Sequence, residues 1–260
     1  MNIELSGKTA LVCGASKGIG RSIAVQLAES GANVIITARN LKDLMNVHSS
    51  LKGSGRHNYI VADFQNPKEA VEIIKSQLPS GDCIDILVNN SGGPPSGKLM
   101  KSENEDFMLA LERHLFASHL LVKEVSSGMA NRQWGRIINI ISISVRQPID
   151  NLGVSNTVRG AMASWAKTLA GELGGLGITV NNILPGMTAT DRLYYLIDNI
   201  ANTSGVSNHE VEEGFKSQIP VGRFAKPEEI AYLAAFLASD FAAYINGTSI
   251  PVDGGFLKSM

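Results

Sequence analysis

The chain has 260 residues, 44% of them hydrophobic and 18% charged, with a formal net charge of −1 at pH 7. That balance supports a sizeable core and excludes a disordered chain. The charges are scattered, so there is neither a basic stripe for nucleic acid nor a polybasic patch for a membrane surface. Only Cys13 and Cys83 are present, without metal-ligand spacing or a disulfide framework, which suits a reducing compartment and no metal. No apolar run is long enough to span a bilayer, and the N-terminus reads as the start of a fold rather than a signal peptide. A soluble, cytoplasmic protein is expected.

In chain order, Thr9 to Cys13 is an apolar run suited to a strand covered on both faces. The loop GASKGIG follows, then a helical pattern through Ile19, Ile23 and Leu27 that stops at Gly31. Val34 to Thr37 completes a unit of the size of a βαβ motif. Asn58 to Ala62 reads as a strand, and Asn66-Pro67 caps and starts a helix. Ile84 to Val88 is a strand ending in NNSGGPP, and residues from Glu103 to about Ala130 are mostly helical. Arg136 to Ile141 is a strand, Ser155 to Leu173 a helix, and Ile178 to Leu184 a strand ending at Pro185-Gly186. Residues 191–218 are polar and weakly periodic; Pro227 to Ala238 is a helix and Thr248 to Val252 the last strand. Alternating strands and helices predict a single α/β domain: a Rossmann-type, doubly wound parallel sheet of about seven strands with helices on both faces.

Gly14, Gly18 and Gly20 do not have the commonest dinucleotide spacing. A glycine turn from strand to helix still lets the backbone approach a pyrophosphate and aims helix N–H groups at it. At the end of the second strand, where an acidic residue would hold an unphosphorylated ribose, the chain has Thr37-Ala38-Arg39. Arg39 and Lys17 are cationic donors suited to a 2′-phosphate, so NADP(H) is expected over NAD(H). Asp63-Phe64 and Asn89-Asn90-Ser91-Gly92 end the third and fourth strands, and ligands of open α/β sheets bind outside those ends.

These residues resemble the short-chain dehydrogenase/reductase family across the whole chain. Further matches are the strand ending at Ser142, Asn181-Asn182, Pro185-Gly186 with Thr190, and the tail from Gly222-Arg223-Phe224 to Asp253-Gly254-Gly255. The tail resembles the acyl-carrier-protein ketoreductase branch. The resemblance implies that Ser16, Lys17 and Ile19 lie on the phosphates and that Asp63 and Phe64 lie by the adenine. It also places Asn90, Ser91 and Gly92 by the adenosine ribose, and Pro185, Gly186, Thr188 and Thr190 at the nicotinamide end.

The family's chemistry uses a serine, a Tyr-x-x-x-Lys pair and an asparagine. Ser142 matches the serine, but Ser155 stands where tyrosine is expected, Arg159 where lysine is expected and His114 at the asparagine position. Arg159 keeps a charge and a fork of donors for ribose hydroxyls but relays protons poorly. Ser155 can donate a hydrogen bond but is a far weaker acid than a phenol. Ser142, Ser155 and Arg159 are therefore expected around the substrate oxygen, with the proton source open among His114, Tyr194 and Tyr195. Arg146 and Asp150 are expected beside the substrate pocket, and residues 191–218 as a mobile substrate lid. Three functions remain: an NADP(H)-dependent oxidoreductase on a small-molecule carbonyl or alcohol, a nucleotide-binding protein without catalysis that acts as a sensor or partner subunit, or a structural subunit beside an active relative, which only the interface helices favour. The apolar helices at 103–130 and 155–173, paired between subunits in the family, imply a homo-oligomer, tetramer or dimer.

Overall fold

In the computed structural model, residues 2–78 and 83–258 are described. Apolar runs without a polar face are stable only where helices cover both sides of a sheet. The strands are Thr9–Cys13 (β1), Asn33–Ala38 (β2), His57–Val61 (β3), Ile86–Asn89 (β4), Gly135–Ile140 (β5), Ile178–Pro185 (β6) and Ser249–Val252 (β7). They pair in parallel throughout, in the order β3-β2-β1-β4-β5-β6-β7. The central strands β1, β4, β5 and β6 are buried along their length, and the edges β3 and β7 are partly open.

Successive residues of one strand face opposite layers. Val12, Ile36 and Val88 pack with Ile23 and Leu27 of α1 (Gly18–Glu29), Leu44 of α2 (Leu41–Ser50) and, beyond α1, Ile230 and Leu237 near the C-terminus. Leu11, Leu87 and Ile137 face the other way. They meet Val71 and Ile74 of α3 (Pro67–Gln77), Leu121 and Val125 of α5 (Ala117–Asn131) and Leu169 of α6 (Gly153–Leu173). Between α4 (Asn104–Leu111) and α5 the helix passes through a five-residue π segment, Glu112–Phe116.

The expected seven-stranded α/β sheet is therefore present, with three local differences. Helix α2 was not anticipated: Asn40 caps it by accepting from Asp43 N at 3.0 Å, but only Leu44 and Val47 of its ten residues are buried. Asn66 occupies the N-cap of α3, yet its side chain donates to Glu69 and does not accept from the helix. Residues 191–218, expected to be weakly ordered in pattern, contain two helices, α7 (Asp191–Ser204) and α8 (Asn208–Lys216). Leu193, Ile197, Ala201 and Val211 of these helices form a small apolar cluster with Ile219 and Phe224, separate from the main core. Gly205 at φ 71° ends α7, and Ser207 with Glu210 forms a reciprocal capping box at α8. The ninth helix, α9 (Pro227–Ala238), packs along α1.

A chain of side-chain amides crosses the sheet just below its carboxyl edge. Asn89 donates to Asn139 at 2.8 Å, Asn139 to Asn182 at 2.9 Å, and Asn182 to Ser249 at 3.0 Å. Register places Asn89, Asn139, Asn182 and Ser249 side by side on β4, β5, β6 and β7. Buried amides are stable only when they satisfy one another, so this ladder fixes the alignment of four strands whose ends build the cleft. Asn139 is 0% exposed and sits in the middle. Replacing it with Ala should leave the Asn89 donor and the Asn182 acceptor unpaired and lower stability by about 2–4 kcal/mol in urea denaturation.

Candidate active site

The cleft begins where β1 turns into α1. Gly14 and Gly18 have φ values of 60° and 53°, in the left-handed region that favours glycine. A Cβ on Gly14 would strike the Asn90 carbonyl oxygen, and one on Gly20 would strike the Gly14 carbonyl and the Asn90 amide. Asn90 Nδ2 donates to Cys13 O at 3.3 Å and Gly14 O at 3.1 Å, tying the end of β4 to the glycine turn. Lys17, at the N-cap of α1, gives no side-chain cap, so the helix's first N–H groups are left for a ligand. Thr190 closes over this turn, with its Cγ2 3.1 Å from where a Gly18 Cβ would sit. A side-chain-free cradle leading into an uncapped helix N-terminus fits a dinucleotide's phosphates.

At the end of the cavity beside β2 and β3 lie Arg39, Asn40, Asp43, Asp63 and Phe64. Lys17 Nζ pairs with Asp43 at 3.5 Å, whereas Arg39 makes no ion pair among the described residues. The free cation at the end of β2 is the group suited to a 2′-phosphate.

One cavity of about 960 Å³ runs from this end to the ends of β5 and β6. Gly14, Ser16, Lys17, Gly18, Ile19, Arg39, Asp63, Phe64, Asn90, Ser91 and Gly92 line one part of it. Ser142, Ser155, Arg159, Pro185, Gly186, Thr188 and Thr190 line the other. Five residues expected at or beside the site do not line the cavity. Gly20 is packed under the glycine turn, and His114 lies behind Ser91. Arg146 and Asp150 are also outside it: both are exposed, and Arg146 reaches Ser249 O at 3.0 Å. Tyr195 lines the cavity; Tyr194 does not. The cavity also contains Arg192, Leu196 and Asn199 of α7, which sequence reading left in an undifferentiated polar segment.

At the inner end, Ser142 Oγ accepts from Ser144 N at 3.1 Å, which leaves its own proton for a ligand. Ser155, in the first turn of α6, makes no side-chain hydrogen bond among the described residues and opens on the cavity. One turn further, Arg159 is buried. Its Nη1 donates to Ile140 O at 3.0 Å, its Nε has no partner, and no carboxylate pairs with it among the described residues. Burial, then the charge of Arg192, lowers its pKa to about 10. His114, in the π segment, is 1% exposed, with Nδ1 2.5 Å from Ser91 Oγ and Nε2 unpartnered. Burial first, then Arg159, Arg113 and Arg192, holds its pKa well below the usual imidazole range, so it is neutral at pH 7.

The neighbours of this arrangement are consistent with one another. The family model described as "Enoyl-(Acyl carrier protein) reductase" matches residues 14–257. The NADPH-dependent reductase BacG of Bacillus subtilis is 32% identical over 98% of this chain and 100% of its own. The 3-oxoacyl-[acyl-carrier-protein] reductase FabG of Haemophilus influenzae is 36% identical over 98% of this chain and 100% of its own. Among solved structures, the L-sorbose reductase of Gluconobacter frateurii complexed with NADPH and L-sorbose superposes with a TM-score of 0.94 at 32% identity, with all of both chains covered. These relatives agree with the expectation of NADP(H) over NAD(H). With the family model matched over nearly the whole length and the parallel sheet in place, the chain belongs to the short-chain dehydrogenase/reductase family.

Proposed function

We propose that this chain is an NADP(H)-dependent oxidoreductase that interconverts a small-molecule carbonyl and alcohol with a rearranged set of polar groups. The observation that carries the reading is the continuity of one cavity, from the glycine cradle and Arg39 to Ser142, Ser155 and Arg159. NADPH-dependent reduction by BacG and the bound NADPH of the sorbose reductase support the cofactor assignment. Arg39 and Lys17 would hold the 2′-phosphate; Ser16, Ile19 and the first N–H groups of α1 the pyrophosphate; Asp63, Phe64 and Asn90 to Gly92 the adenosine. Pro185, Gly186, Thr188 and Thr190 would hold the nicotinamide end, where the bound cofactor supplies the hydride.

The chain's own groups then act on the substrate oxygen. Ser142 and Ser155 donate hydrogen bonds to it, and Arg159 places a positive charge behind them. Such preorganised donors act where negative charge develops. Arg159 remains charged at neutral pH with its pKa at about 10, so it stabilises the oxyanion without giving up a proton, and the proton that completes the alcohol comes from water at the open cleft through the Ser142 or Ser155 hydroxyl. His114 positions Ser91 and does not reach the cavity, so it is not the proton source. Helices α7 and α8 form the substrate lid of a single domain. The exposed Leu109 and Phe116 along α4 and the π segment support a homo-oligomeric contact there. Two free cysteines, Cys13 and Cys83, are consistent with a cytoplasmic setting.

Screening NADPH oxidation against ketoacids, aldehydes, diketones and ketosugars tests this function. Turnover on at least one class is expected, falling by about 10²-fold or more in Ser142→Ala. Saturable NADPH binding with no turnover on any class would instead support a binding protein that has lost catalysis, a reading that Ser155 and Arg159 keep open. The neutral state of His114 has its own signature. Its folded pKa is depressed, so its contribution to stability is complete above the unfolded value of about 6.5 and is lost as pH falls below it. Melting temperature should therefore drop between pH 7.5 and 5.5, and less so in His114→Asn; equal drops in both proteins would contradict the assignment.

A further inference from the structure

The cavity holds more positive charge than a neutral carbonyl requires. Arg192, the second residue of α7, reaches across the mouth of the cleft, and its Nη2 donates to Pro94 O at 2.7 Å. Its guanidinium lies against Gly93, where an added Cβ would come within 3.1 Å of Nη2. A guanidinium carries five N–H donors, and this is its one hydrogen bond among the described residues. Much of its surface faces the open cleft. Arg159 lines the same cavity, buried, with Nε unpartnered. Both line the same cavity, the charge of Arg192 disfavours that of Arg159, and neither pairs with a carboxylate among the described residues.

The acids lining the cavity do not answer these charges. Asp43 is paired with Lys17 at the adenosine end, and Asp63 accepts from Gln65 N there. Asp191 precedes Arg192 on the same helix, and adjacent helical residues do not face each other. Two guanidinium groups lining one cavity with unused donors form a receptor for an anion, which would offset their like charge and fill the open donors.

We propose that the substrate carries a carboxylate, and that Arg192 is the side chain that pairs with it while Arg159 reinforces the field from below. This rests on the oxidoreductase reading of the same cleft. It narrows the substrate class to oxo acids or hydroxy acids, with the reacting carbon held near Ser142 and Ser155 and the carboxylate turned toward α7. It also gives the lid a reason to close. An anion between the guanidinium on α7 and the floor of the cleft would draw α7 toward α6, and a neutral ligand would not.

The test uses the full-length protein loaded with NADP⁺, titrated calorimetrically with pyruvate, acetoacetate, malonate and benzoylformate, each beside its methyl ester. At least one acid should bind about tenfold or more tightly than its ester. Arg192→Gln should remove that preference with NADP⁺ affinity unchanged, and Arg192→Lys, which keeps the charge without the fork, should restore part of it. If no acid binds more tightly than its ester, or if the preference survives in Arg192→Gln, the inference is wrong. Weakened NADP⁺ binding in Arg192→Gln would assign the side chain to the cofactor's phosphates and also overturn it. Turnover of neutral ketones without acid preference would remove this inference and keep the oxidoreductase. Acid binding without turnover would do the reverse.

Discussion

The cleft exists because the winding of the sheet reverses between β1 and β4, and the amide of Asn90 bonds the two strand ends together at that point. From β1 the chain winds outward through β2 to β3, then returns to place β4 on the other side of β1. Loops leaving the two strands diverge, which opens a crevice at the carboxyl edge. Asn90 keeps that crevice at a fixed width by donating to the Cys13 and Gly14 carbonyls. Glycine is required at 14 and 20 because any side chain there would collide with this same contact. The Asn89–Asn139–Asn182–Ser249 ladder carries the alignment across to β7. The strand ends that Asn90, Ser91, Gly92, Ser142 and Gly186 follow are held by these amides.

On that frame the polar groups divide by end. At the adenosine end one cation is paired and one is free: Lys17 meets Asp43, and Arg39 meets no acid among the described residues. At the inner end the groups are two hydroxyls, a buried arginine and, behind Ser91, a neutral histidine. Ser155 rather than a phenol stands one turn before Arg159, so in the proposed reaction stabilisation of charge on the substrate oxygen falls to Ser142, Ser155 and Arg159. A guanidinium anchored by Ile140 O cannot move far, which suits a group that acts through a fixed field.

Much of this was legible in the sequence, for identifiable reasons. The glycine turn, the apolar strands and the residues just past strand ends are local patterns, and strand-end residues of a parallel sheet must converge on one edge. Ser142, Ser155 and Arg159 were placed by the family resemblance and do line the cavity. What escaped depended on distant contacts. Arg192 reads as one charge in a polar segment until the fold brings it to Pro94, 98 residues away. Helix α2 buries two residues of ten, too few to produce a clear period. Helices α7 and α8 bury their apolar residues in a small cluster of their own, so the pattern is weaker than that of a helix on the main core. Arg146 and Asp150 are near Ser142 in sequence, but the loop after the 3₁₀ turn at Ile143–Val145 turns them out to the surface.

The account stands on a cleft built for a phosphorylated dinucleotide, with Arg39 as its free cation. Titrating the purified protein with NADPH and with NADH measures this directly. NADPH should bind about tenfold or more tightly, the value of a charge-assisted phosphate contact; NADH binding as tightly as NADPH, or more tightly, would contradict it.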